Sequence, residues 1–192
     1  MRIVAGQYRG RAIVAPKGDA TRPTSDRVRE ATFSALIARG LLTSDDNVLD
    51  LFAGSGALGL EALSRGVARA TFVEQDRHAL EALNKNIGVL GAENVTAVIR
   101  GDSFLRADGK IAGGPFTLLF LDPPYRIESS EVRALIDALF ASGLLVPHAT
   151  VVWEHAARTE PELSEDWGTV FTKRYGSTAV TIAFGEGGSG RQ

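Results

Sequence analysis

The sequence predicts an α/β fold in which a mostly parallel sheet carries helices on both faces, and three observations lead there. Short apolar runs near 47–52, 70–74, 95–100, 116–121 and 149–154 alternate with helical patterns near 57–65, 76–90 and 129–142, which is the order of strand-crossover-strand units. One of those strands runs straight into a glycine-rich turn, Asp50-Leu51-Phe52-Ala53-Gly54-Ser55-Gly56, and then into a helix from Ala57. Acids at Asp50, Glu74, Asp102 and Asp122 fall at or near the carboxyl ends of strands, where such sheets hold their ligands.

The elements follow in order. Residues 2–14 alternate around Gly6 and Gly10 and predict a short hairpin, and Pro16 to Pro23 reads as a loop. A helix is expected from Ser25 to Arg39, with Val28, Ala31, Phe33, Leu36 and Ile37 as its apolar side. After Gly40 the strand-helix alternation begins. It breaks at Thr169–Phe184, where Arg174-Tyr175-Gly176-Ser177 separates two strand-like runs with no room for a helix, so a hairpin closes the fold. Residues 185–192 are glycine-rich and read as a loose tail. The expected organisation is a basic extension over 1–40, a main domain over 41–184 and the tail.

Composition narrows the class. A chain of 192 residues with 44% apolar content supports one core. With no cysteine there is neither a disulfide scaffold nor a thiolate zinc site, and the three histidines are too scattered to suggest a metal set. No apolar run approaches the roughly 18 residues of a membrane span, and no signal peptide is evident, so a cytoplasmic enzyme is expected. The formal net charge of -2 hides an asymmetry: Arg2, Arg9, Arg11, Lys17, Arg22, Arg27, Arg29 and Arg39 crowd the start of the chain. Charges beyond about 8 Å are screened at physiological salt, so such a cluster can hold phosphates in an acidic protein; without a partner it would be a solvated face.

Two motifs carry chemistry. In Asp122-Pro123-Pro124-Tyr125, at the end of a strand, the carboxylate and the Pro123 carbonyl can each accept one N–H of an exocyclic base amine. That would draw the delocalised lone pair back onto nitrogen. The prolines fix the backbone, and Tyr125 offers a flat face for stacking. Taken alone, the same tetrapeptide is also a plain turn. The second motif, at Gly54, Gly56 and Gly59 with Glu74 about 20 residues on, fits the dinucleotide fingerprint, so a nicotinamide cofactor competes. Asp50 before the glycines favours a cationic ligand, S-adenosylmethionine, over a pyrophosphate.

Together, Asp50–Gly56 and Asp122–Tyr125 resemble the amino-methyltransferase branch of the class I S-adenosylmethionine-dependent enzymes. Adding Met1–Arg11 and Arg22–Glu30, the chain resembles the RsmD family of bacterial enzymes that methylate N2 of one guanine, guanine 966, in 16S ribosomal RNA. The resemblance spans Met1 to about Phe184. It implies a seven-stranded Rossmann-like sheet whose final strand is antiparallel, with S-adenosylmethionine as cofactor, 16S RNA or the small ribosomal subunit as partner, and no metal, in a monomer. As catalytic residues it implies Asp122, Pro123, Pro124 and Tyr125. The cofactor contacts implied are Asp50, Phe52, Ala53, Gly54, Gly56, Glu74 (to the ribose), Gln75, Asp102 (to the adenine amine) and Ser103. Arg2, Arg9, Arg11, Lys17, Arg22, Arg27 and Arg29 become the RNA-binding set. Two other readings stay open: an adenine-N6 methyltransferase, and a noncatalytic RNA-binding factor of ribosome assembly.

Overall fold

A computed structural model describes residues 1–16, 26–106 and 111–186. Seven strands form one sheet in the order β3-β2-β1-β4-β5-β7-β6. The strands are β1 (Asn47–Leu51), β2 (Arg69–Glu74), β3 (Thr96–Arg100), β4 (Phe116–Leu121), β5 (Leu145–Ala156), β6 (Trp167–Tyr175) and β7 (Thr178–Gly185). The first five pair in parallel, and β7 lies antiparallel between β5 and β6. The helices are α1 (Asp26–Ala38), α2 (Ala57–Ser64), α3 (Arg77–Leu90), the short α4 (Ser103–Arg106) and α5 (Ser129–Ala141). Among the described residues no helix is long and apolar enough to cross a membrane.

Both faces of the sheet are covered, which is why its central strands read as unbroken apolar runs. Val48, Leu118 and Phe120 pack with α1, α2 and α3 on one side; Leu49, Leu51, Leu119 and Leu121 pack with α5 on the other. Asp50 is the one polar residue in the buried stretch of β1. Ends of helices are set by local chemistry: the Asp76 side chain accepts the Ala79 N–H at 2.8 Å at the start of α3, and Gly91, with φ 66, ends it in the left-handed region.

Three expectations need adjustment. The hairpin over 2–14 is a single antiparallel bridge, Arg2 to Ala12, joined by turns. Ile3, Gly10 and Ile13 N–H bond across it, and four further donors leave it: Val4 and Ala5 N–H to the Glu61 carboxylate, Tyr8 N–H to Ser64 Oγ, and Gln7 N–H to the Ser64 carbonyl. A Cβ on Gly6 would fall 1.7 Å from that carbonyl, so only glycine lets this turn seat on the end of α2. The buried side of α1 is Val28, Arg29, Thr32, Phe33, Ala35 and Leu36, whereas Ile37 is exposed. The last strand keeps Gly185, and the remainder of the expected tail, 187–192, lies outside the described residues, as does most of the expected loop from Pro16 to Pro23.

Candidate active site

The glycine loop starts where β1 ends. Phe52, Gly54 and Gly56 have φ values of 60, 56 and 78, so the chain turns through three left-handed residues in five. For a phenylalanine that conformation costs energy, on the order of 1–3 kcal/mol. It places the Phe52 ring edge-on to Phe104 of α4, with centroids 5.7 Å apart, joining the loop after β1 to the one after β3. Gly56 is required by space as well as by angle, because a Cβ there would meet Leu83 Cδ1 at 2.4 Å. At Gly54 a Cβ would meet nothing nearer than the Phe52 carbonyl at 4.0 Å, so this part of the loop borders open space.

Four N–H groups of the loop and the start of α2 are bonded inside the protein. Ala53 N–H donates to the Val73 carbonyl, Gly54 N–H to Glu74 Oε2 at 2.8 Å, Gly56 N–H to the Ala53 carbonyl and Gly59 N–H to Asp50 Oδ2 at 2.9 Å. Asp50 thus braces the first turn of α2 from below, through Gly59. A pyrophosphate would need those donors and would meet the Glu74 carboxylate, whereas a cation gains from it. Asp50 itself is 2% exposed and sits behind the loop. Burial pushes its carboxyl up to about 8, against the Gly59 hydrogen bond, with the Glu74 charge adding to the rise.

Glu74, 9% exposed at the end of β2, receives three backbone N–H groups. Gln75 and Asp76 donate to its Oε1 at 2.8 Å each, alongside Gly54 on Oε2. A carboxylate has about four acceptor positions, so roughly one remains for a ligand hydroxyl. Gly54, Gln75 and Asp76 thus orient Glu74, and Ala53 N–H ties the loop to β2 through the Val73 carbonyl. Asp102 is partly exposed and accepts the Phe104 N–H at 2.9 Å, which starts α4, and Ser103 is buried beside it.

Asp122-Pro123-Pro124-Tyr125 leaves β4, the immediate neighbour of β1. Leu51 and Leu121 are paired in register, so Phe52 and Asp122 emerge side by side at the same level of the sheet. Asp122 is partly exposed, Pro123 buried and Pro124 exposed. The Ile127 N–H donates to the Pro124 carbonyl at 2.9 Å and closes the turn. The Tyr125 ring is half-exposed, with its phenol 3.0 Å from Thr178 Oγ1 at the start of β7.

Of the basic set, Arg2, Arg9, Arg11 and Arg27 are exposed. Arg11 also donates to the Val89 carbonyl at 2.9 Å. Lys17 and Arg22 lie outside the described residues. Arg29 is a correction: it is fully buried, 0% exposed, and cannot meet a phosphate. Its guanidinium bonds Asp26 at 2.9 Å, Glu61 at 3.4 Å and the Arg2 carbonyl. The reason is helical phase, since residues 29, 33 and 36 share one face of α1.

Glu61, missed in the sequence, is the centre of that arrangement. Fully buried on α2, it accepts from Val4 N–H at 2.8 Å, Ala5 N–H at 3.1 Å, Arg29 and Arg65. A lone acid among Leu58, Leu60, Ala62 and Leu63 was the available signal. Asn86, also missed, is 1% exposed on α3 and ties the N-terminal segment to the glycine loop: it exchanges hydrogen bonds with Val14 and donates to the Ser55 carbonyl at 2.9 Å.

Comparison with known proteins agrees with this architecture. The chain is 38% identical to ribosomal RNA small subunit methyltransferase D of Escherichia coli K12 over 184 residues, 95% of this chain and 88% of that protein. Its structure superposes on that of the yhhF protein of Escherichia coli with a TM-score of 0.82 at 35% identity, covering 97% and 98% of the two chains. An RNA methyltransferase from Salinibacter ruber, in complex with S-adenosyl-L-homocysteine, shares the fold at 20% identity, with a TM-score of 0.63 over 86% and 95% of the chains. The family described as conserved hypothetical protein 95 matches residues 1–184. With nearly its whole length matched, the chain belongs to that family, the RsmD family of methyltransferases.

Proposed function

We propose that this protein transfers a methyl group from S-adenosylmethionine to the exocyclic N2 amine of a guanine in 16S ribosomal RNA, at guanine 966 by family resemblance. The observation that carries the reading is the pairing of Leu51 with Leu121, which sets a glycine loop flanked by two carboxylates beside Asp122-Pro123-Pro124-Tyr125. The donor set suits the cofactor: Glu74 stands at the loop as an acid for the ligand's ribose hydroxyls, Asp50 braces the loop from behind, and the open space at Gly54 gives the ligand room. When bound, it supplies an electrophilic methyl carbon on a sulfonium. Asp122 and the Pro123 carbonyl would each accept one N–H of the guanine amine, aiming its lone pair at that carbon, while Tyr125 stacks on the extruded base. No covalent enzyme intermediate is needed, so the work of the chain is positioning and electrostatics.

The direct test is incubation with labelled S-adenosylmethionine and either free 16S RNA or small subunits lacking the modification, followed by digestion to nucleosides. Label in N2-methylguanosine is the expected result. Label in N6-methyladenosine would replace the guanine reading, and no label would remove the enzymatic one.

Cofactor binding should be coupled to a proton. With burial pushing Asp50 up to about 8 before binding, the carboxyl is mostly protonated at pH 7, and an arriving cation favours the ionised form. Calorimetry in buffers of different ionisation enthalpy should show nearly one proton released per cofactor in the wild type and about none in Asp50→Asn. Equal proton counts would place the titration elsewhere. Because the carboxyl is raised from 3.8, the folded protein holds the proton through a window where the unfolded chain has lost it. Stability from this group is full below about pH 4 and declines as pH rises toward 8, and Asp50→Asn should remove that decline.

For the RNA surface, Arg9→Ala with Arg27→Ala should weaken binding and reduce the salt slope by roughly 0.7–0.9 per lost phosphate contact, with cofactor affinity unchanged. A slope equal to that of the wild type would move the RNA surface elsewhere.

A further inference from the structure

We infer that Thr178 is a positioning residue for methyl transfer: its hydroxyl holds the ring of Tyr125 as a fixed platform for the incoming base. The inference rests on the RNA-methylation reading above and adds to it a residue from the far end of the chain.

Tyr125 combines two properties that rarely meet. Its ring is 50% exposed, so it is not there to fill the core, yet its phenol is tied to Thr178 Oγ1 at 3.0 Å across 53 residues of sequence. An exposed tyrosine turns freely about two side-chain torsions, and such freedom is lost when a base settles on it. Here the ring is held at both ends. At the backbone end, Pro123 and Pro124 fix the chain, and the Ile127 N–H to Pro124 carbonyl bond closes the turn. At the other end the phenol meets a strand residue whose position is determined on both sides, because Thr178 pairs with Ala156 of β5 and with Tyr175 of β6. The neighbouring bond from Ala157 N–H to the Ser177 carbonyl at 2.9 Å fastens the hairpin turn to the end of β5. A flat face next to Asp122 is thereby preset before any base arrives, and a preset face spends less of the stacking energy on ordering itself.

The arrangement also explains why a threonine stands where β7 begins. Valine has the same shape and suits a strand equally well, so the hydroxyl is what the position adds.

The test is a double-mutant cycle on methyl transfer to small subunits or 16S RNA. Thr178→Val removes the hydroxyl and keeps the shape; Tyr125→Phe removes the phenol and keeps the ring. Each single change should lower kcat/KM for RNA roughly three- to tenfold, the size expected for one neutral hydrogen bond. The double variant should be no worse than either alone, and Thr178→Ser should keep most of the activity. Cofactor affinity and the thermal midpoint should stay at wild-type values, which separates positioning from a loss of structure. Multiplying effects in the double variant, or Thr178→Val as active as wild type or more active, would overturn the inference while leaving the function standing. A wild-type protein that transfers no methyl group to RNA would instead overturn the functional reading, and this one with it.

Discussion

Replacing Asp122 with alanine should lower kcat by roughly 10²–10³-fold while leaving S-adenosylmethionine affinity within about twofold of the wild type, the range seen when one preorganised electrostatic partner is removed from a transition state. The separation follows from position. Groups expected to hold the cofactor stand at the ends of β1, β2 and β3, whereas Asp122 follows β4 and sits partly exposed at the mouth of the site. A purine amine is a poor nucleophile in its planar form, and positive charge grows on nitrogen as the new bond forms. An acceptor in place beforehand assists both the bending of the amine and the growing charge. Asp122→Asn gives the sharper comparison, because the amide oxygen still accepts a hydrogen bond but carries no charge. It should retain activity between wild type and alanine. Were Asp122 needed chiefly to take the proton, asparagine would be as inactive as alanine. A fall in cofactor affinity as large as the fall in kcat would make Asp122 a cofactor ligand instead. Rates need to be read at saturating RNA, and the thermal midpoint of each variant checks that Asp122 is not lost as a fold contact.

The parts of this site that could be read from the sequence are those written locally. A strand buried on both sides must be a run of apolar residues, so β1, β2 and β4 announce themselves, and Asp50 stands out because nothing else in its stretch is polar. A left-handed turn asks for glycine, so the loop after β1 shows in the sequence, although Phe52 takes the same conformation without that mark. Polar contacts between distant segments leave no comparable trace. Val14 and Asn86 are 72 residues apart, and Tyr125 and Thr178 are 53 apart; the Tyr125 motif shows in the sequence, but nothing marks Thr178 as its distant partner, or Val14 and Asn86 as each other's. Arg29 misled for the same reason. An arginine among other arginines reads as surface charge until the helix phase shows it pointing inward, toward an acid 32 residues later. The last parallel strand starts earlier than the expected 149–154, at Leu145, since its early part contains Pro147 and His148, and Phe116 pairs with Leu145 ahead of a register shift.

That buried pair sets the largest expected effect on stability. Glu61→Leu should cost about 3–5 kcal/mol, the usual penalty for removing one partner of a buried ion pair, here with Val4 and Ala5 N–H losing their acceptor as well. Against a typical total of about 5–15 kcal/mol, such a loss removes roughly a fifth of the stability or more. Arg29→Met should cost less. The asymmetry comes from the partner lists: Glu61 serves Val4 N–H, Ala5 N–H, Arg29 and Arg65, so its removal orphans several donors, while loss of Arg29 leaves Glu61 still bonded to the other three. The double variant should recover part of the Glu61→Leu loss, because the buried guanidinium left with only Asp26 and the Arg2 carbonyl is gone, yet not all of it, because Val4 and Ala5 would still lack an acceptor. Urea unfolding of the three variants measures these differences directly. The same series decides what Arg29 is for. If it mounts the N-terminal segment, Arg29→Met lowers stability and leaves the salt slope of RNA binding unchanged, whereas Arg27→Ala does the reverse. A stable Arg29→Met protein with a flattened salt slope would mean that this side chain reaches solvent, and the buried network drawn around Glu61 would have to be abandoned.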